Sequence, residues 1–127
     1  MNARIIAYWT ATVLLALALS SGGAASVARA EPNVRGMAEL GYPAYLLFVL
    51  GVWKLLGAAA LLAPRLALVK EWAYAGIAFD LSGAAVSHAA IGHPAAKVAV
   101  PLVLLALAAC SWALRPESRR LVSCTAA

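Results

Sequence analysis

At 127 residues, 65% hydrophobic and 12% charged, the chain lies far from soluble globular domains, which carry about 25% charged residues. Its apolar residues come in long blocks rather than helical stripes, the mark of helices that cross a bilayer. The net charge of +5 does not point to nucleic acid, because the basic residues cluster at the ends of the apolar blocks, where they orient helices in a membrane.

Four spans are predicted. The first, Ile5–Gly22, follows Arg4 and fades into Ser20-Ser21-Gly22-Gly23. Arg4, this stretch and Ala28-Arg29-Ala30 before Glu31 also fit a cleavable leader with a small-residue site. The length of the block and the interfacial Tyr8-Trp9 pair favour a retained helix. Between spans one and two, Asn33 is expected to cap a short interfacial helix with Val34, Met37 and Leu40 on its apolar side. Arg35 and Glu39 pair at i,i+4 in this reading, and Gly41 and Pro43 end the helix.

The second span is Pro43–Ala63, the third Trp72–Ile91 and the fourth Ala95–Leu114, with residues 115–127 as a tail. Each is close to the roughly 20 residues a bilayer core requires. The turns at Pro64–Glu71 and Gly92–Pro94 are short and force antiparallel neighbours. The expected fold class is therefore all-α: an integral membrane four-helix antiparallel bundle with a short interfacial helix, one domain over residues 1–127. Pro101 lies in the first turns of span four, where it can bend the helix.

Arg4, Arg65, Lys70, Arg115, Arg119 and Arg120 fall on one side, against Arg29, Arg35 and Lys97 on the other. The richer side faces the cytoplasm, which places both termini there. Tyr8, Trp9, Trp72, Tyr74 and Trp112 form an inner aromatic belt, with Tyr42 and Tyr45 at the outer one.

Two charged residues stand inside the spans. A charge at bilayer depth costs on the order of 3 kcal/mol even on lenient scales, so it needs a partner or a task. Lys54 lies nine residues before Ala63, and Asp80 eight after Trp72. At 1.5 Å per residue both sit roughly 12–14 Å from the shared turn, so a hairpin brings them to one depth. The pair is either a lock between two helices or the polar floor of a cavity. Gly51 and Gly57 on span two, with Gly76, Gly83 and Ser87 on span three, are expected to allow close packing around it.

Trp53 at mid-depth needs an acceptor or a ligand for its indole N–H, or else packs against a neighbour helix or lipid. His88, two turns beyond Asp80, can relay protons or hydrogen-bond at the headgroup level. His88 and His93, five apart with Pro94 following, make a poor metal site. Cys110 and Cys124 form no CxxC pair, and a free thiol packs as a small apolar side chain. No nucleophile–base pair or phosphate loop stands out, so nothing reads as an enzyme on its own.

Tyr8-Trp9-Thr10, Gly41-Tyr42-Pro43, LGVWKLLGAAALLAP at Leu50–Pro64, EWAYAGIAFDLSGAAVSH at Glu71–His88 and SWALRP at Ser111–Pro116 resemble the DoxX-like family of small bacterial four-span membrane proteins. The resemblance runs from about Tyr8 to Pro116. It implies a four-helix bundle of the bacterial inner membrane with its first helix retained. It also implies association with respiratory or thiol-redox assemblies, some of them quinone-linked.

The expected function is thus a multi-pass membrane subunit or small-molecule binder in a redox or stress-related assembly. Lys54, Asp80, Trp53 and His88 are its candidate polar centre, a quinone its candidate ligand, and the bilayer, redox proteins or further copies of the chain its partners. The alternatives are a proton or small-solute carrier working through Asp80 and His88, and a structural assembly partner without a ligand.

Overall fold

The computed structural model describes residues 2–121; Cys124 and the end of the tail lie outside them. Five α-helices follow one another: α1 (Ala3–Val27), α2 (Glu31–Glu39), α3 (Ala44–Leu62), α4 (Ala67–Ala90) and α5 (Ala95–Ala113). A single 3-10 turn, Glu117–Arg119, closes the order, and no strand occurs among the described residues. The four long helices pack in a circuit, α1 on α3, α3 on α4, α4 on α5 and α5 back on α1. Leu15, Leu19, Leu61, Ile77 and Leu81 fill the space they enclose. The short α2 lies across one end against α3 and α1.

Three helices, α1, α3 and α5, are long and apolar enough to cross a membrane. The 24-residue α4 has the length but is not among the three, because Lys70, Glu71, Asp80, His88 and its serines dilute its apolar residues. Helix boundaries also move. α1 runs to Val27 instead of fading at Gly22, and α4 begins at Ala67, which takes Lys70 and Glu71 into its first turns. Gly23 and Ser26 continue α1 where they meet α3. Pro101 sits inside α5 without interrupting it.

Chain stops follow backbone rules. Gly41 (φ 81°) and Gly92 (φ 73°) take the left-handed conformation just past α2 and α4, which glycine enters without a Cβ clash. Arg29 (φ 55°) and Arg65 (φ 68°) adopt it in the α1–α2 and α3–α4 turns, where a non-glycine residue is strained.

The close approach between helices is not where the glycine pattern put it. At Gly76 and Gly83 an added Cβ meets nothing within 4 Å, and at Gly57 only ordinary contacts. Gly51 instead faces Gly23 of α1, where a Cβ on either would come within 3.0 Å of the other's carbonyl oxygen. α3 therefore leans on α1 and packs more loosely on α4.

Around α2 the expected capping is also corrected. Ala30 occupies the N-cap and Pro32 the first turn, a position that tolerates proline's missing N–H. Asn33 donates to Ser26 Oγ at 3.2 Å instead of capping. Arg35 pairs back with Glu31 at 3.3 Å, not with Glu39. Glu39 is drawn away to the α4–α5 turn, 3.3 Å from His93 and 3.8 Å from Lys97.

Candidate functional site

The loose α3–α4 contact leaves a groove of about 840 Å³ on the side of the bundle. Its walls are almost wholly apolar, and Leu19 of α1 forms part of the floor. Trp53, Trp72 and Phe79 stand along its edges, 65%, 70% and 77% exposed. The groove runs from mid-helix down to the α3–α4 turn at Ala63 and Leu66.

Lys54 and Asp80 are its charged lining residues. The hairpin brings them to one depth, with Lys54 Nζ 3.8 Å from Asp80 Oδ2. That separation is an ion-pair contact, longer than a hydrogen bond. Neither side chain makes a hydrogen bond among the described residues, and 29% and 21% of their surfaces stay open. Donors on one side and acceptors on the other are thus left free at one point of an apolar groove.

Trp53 belongs to the groove as an edge residue. His88 does not. Its Nδ1 lies 2.7 Å from Nδ1 of His93, and His93 Nε2 reaches Glu39. The two imidazoles and Glu39 tie α2 to the α4–α5 turn, away from the pair at Lys54 and Asp80. No group of three or more His, Cys, Asp or Glu among the described residues can hold a metal ion. Glu39 sits behind the His93 ring, so only two nitrogens converge. Cys110 is exposed on α5 rather than packed.

A second polar centre was not anticipated. Thr12 of α1 and Tyr74 of α4 both meet Ser111 of α5, each at 2.6 Å, and all three are buried. Tyr8, one turn before Thr12, is fully buried beside them in α1, and its hydroxyl has no partner among the described residues. Tyr8 and Tyr74 are therefore interior residues, not members of an interfacial belt. Their rings fill the core while Ser111 takes up the polar tip of Tyr74. Part of the signal was in the sequence: Tyr8 and Thr12 are four apart, so α1 presents them on one face.

Beneath this centre, Glu71 holds Arg115 at 2.5 Å and accepts from Trp112 Nε1 at 3.1 Å. Arg115 also lies over the rings of Tyr74 and Trp112, 5.4 Å and 5.3 Å from their centroids. Burial pushes the Glu71 carboxyl up, but the bonds from Trp112 and Arg115 outweigh it and hold it below its ordinary range.

Lys70, fully buried, donates to the carbonyls of Ala60 and Ala63 at the end of α3. Arg119 donates to Leu61 O at 3.0 Å and stacks 4.7 Å from the Trp9 ring centroid. Both cations satisfy carbonyls that a helix C-terminus leaves without partners. Burial lowers the Lys70 ammonium from its usual range, and the like charge of Arg119 adds to it. Three of the six basic residues counted on the richer side, Lys70, Arg115 and Arg119, thus work inside the fold.

No curated protein and no solved structure gives a significant match to this chain. The model of the DoxX-like family matches residues 10–111, a stretch that runs from α1 to α5 and carries the groove, the Lys54–Asp80 pair and the buried hydroxyl centre. This chain is a member of the DoxX-like family.

Proposed function

We propose that this membrane protein binds a small, ring-bearing apolar molecule of the quinone type in the α3–α4 groove, as a subunit or binder in a redox or stress-related assembly. The observation that carries the reading is the Lys54–Asp80 pair, with unused hydrogen-bonding capacity on the floor of an apolar groove. At about 840 Å³ the groove lies within the common range of small-molecule sites, roughly 300–1,000 Å³, which are mostly apolar with a few convergent polar groups. Trp53, Trp72 and Phe79 offer flat faces to a ring.

In this reading α4 is a fourth crossing, antiparallel to α3 and α5, and the groove opens sideways to lipid. Its length and its place between two apolar helices joined to it by short turns support that topology. The membrane is the bacterial inner membrane, in keeping with the family, and the six-to-three bias of basic residues supports both termini on the cytoplasmic side. Arg4 and Arg65, exposed on that side, are the ones free to meet anionic headgroups. The carrier reading is not favoured, because His88 is engaged with His93 rather than Asp80.

The test is purification in mild detergent, an absorption spectrum and mass spectrometry of co-extracted molecules. A near-stoichiometric ring compound, lost in Lys54→Met and Asp80→Asn while helicity is kept, is the expected result. A ligand content identical in wild type and both folded variants overturns the assignment of the site.

A further inference from the structure

We infer that the groove selects a hydroxyl-bearing ring, such as a phenol or the reduced quinol form, over the corresponding carbonyl form. This rests on the groove reading above and names the chemistry that its polar floor can satisfy.

Lys54 offers N–H donors and no acceptor when protonated, whereas an ionised Asp80 offers acceptors only. Their atoms lie 3.8 Å apart and face one groove. A ring carbonyl can accept from Lys54, but it has nothing to give Asp80. The carboxylate then keeps only its 3.8 Å ion-pair contact with Lys54 and is covered by an apolar ring without a hydrogen bond, the costly outcome for a polar group. A hydroxyl both accepts and donates. With O–H···O contacts at about 2.7 Å and N–H···O contacts at about 2.9 Å, one hydroxyl oxygen reaches both atoms of a pair separated by 3.8 Å. A single phenolic O–H thus completes the Lys54–Asp80 contact as a bridge, with its ring along Trp53 and Phe79.

The same pair disfavours other occupants. A phosphate or free carboxylate meets Lys54 but is repelled by Asp80, and it must carry its charge to the middle of the helices. An amine meets Asp80 and is repelled by Lys54. A saturated acyl chain satisfies neither group. The remaining class is an uncharged, lipid-soluble molecule with a hydroxyl on a flat ring.

Three probes of equal tail length separate these cases: 4-heptylphenol, its methyl ether 4-heptylanisole, and heptyl-1,4-benzoquinone. The anisole keeps an acceptor oxygen but has lost the proton to donate. Binding is measured on the full chain in lipid nanodiscs, with empty nanodiscs subtracted to remove partitioning. The phenol is expected to bind at least about tenfold more tightly than either other probe, the effect of one hydrogen bond to a charged group.

Asp80→Asn supplies a further readout that a merely structural role would not move. The amide that replaces the carboxylate can donate as well as accept, so the quinone gains on the phenol and the preference narrows or reverses. Lys54→Met weakens all probes that use its donors. Equal binding of the three probes, or tighter binding of the quinone, overturns the hydroxyl selectivity while leaving the groove as a site. No binding of any probe to a folded, nanodisc-embedded chain overturns the groove reading itself.

Discussion

Gly23 of α1 and Gly51 of α3 face each other so closely that a Cβ on Gly51 would come within 2.9 Å of Ser26 Cβ and 3.0 Å of Gly23 O. This contact determines where α3 goes. Drawn against α1, it leaves its opposite flank only loosely joined to α4, and that looseness is the groove. Gly51→Ala is therefore expected to destabilise the protein by about 1–3 kcal/mol, the usual cost of overpacking a close contact. Gly83→Ala, whose Cβ meets nothing within 4 Å, removes only a flexible residue and should be neutral or slightly stabilising. Denaturant titration in detergent of the two variants side by side checks both signs.

The Lys54–Asp80 pair gives a second expectation. Removing one partner leaves the other charge uncompensated among apolar walls, so Lys54→Met and Asp80→Leu alone should each cost about 1–3 kcal/mol. That is less than for a fully enclosed pair, because both side chains keep part of their surface open. The double variant should recover most of the loss. A double-mutant cycle on unfolding free energies reads the coupling directly, and strictly additive losses would remove the pair from the account of stability.

Ser111 and Tyr8 are expected to behave oppositely although both are buried hydroxyls. Ser111→Ala takes away the shared partner of Thr12 and Tyr74. Two buried polar groups then lose a bond, at a cost of about 1–3 kcal/mol. Tyr8→Phe deletes a hydroxyl that has no partner among the described residues, so the variant should be as stable as the parent or more so. Thermal unfolding of the two purified variants distinguishes the cases.

Glu71 predicts an acid limb. Its folded-state pKa lies below its ordinary value of 4.5. Its contribution to stability is therefore fully present above that value and is lost as the pH falls through the lower folded-state value. Glu71→Gln should flatten the stability profile in this acid window and lower the plateau near neutral pH. The plateau falls because Arg115 loses its carboxylate while keeping its buried position. Unfolding midpoints from pH 7 down to about pH 3 test it, and an unchanged acid slope would exclude Glu71 as the source.

Much of the protein was legible in its residues taken in order. Block length and hydropathy alone mark α1, α3 and α5, because each turn of a helix in lipid must satisfy its own backbone. Counting 1.5 Å per residue from a short turn was enough to place Lys54 beside Asp80, since a hairpin equalises depth whatever else the bundle does. The family likeness was carried by local motifs and is confirmed by the family match. The apolarity of α4, by contrast, falls short of the other three because Lys70, Glu71, Asp80 and His88 sit on it.

What residue order could not decide is which side chains meet across helices. Periodicity says that Tyr8 and Thr12 share a face, but not that Ser111 and Tyr74 lie opposite. Nor does it say that Lys70 and Arg119 turn inward to the carbonyls of α3 rather than outward to lipid. Glycine spacing suggested a close approach near Asp80, whereas the rotation of α3 about its axis placed that approach at Gly23. Sequence by itself determined the order of the long helices and the common level at which Lys54 and Asp80 meet across the α3–α4 hairpin, which follow from single helices and a short turn. Rotation and tilt arise from packing among all of them, so only the tertiary structure decided that the α3–α4 side stays open and that the charged pair faces the opening.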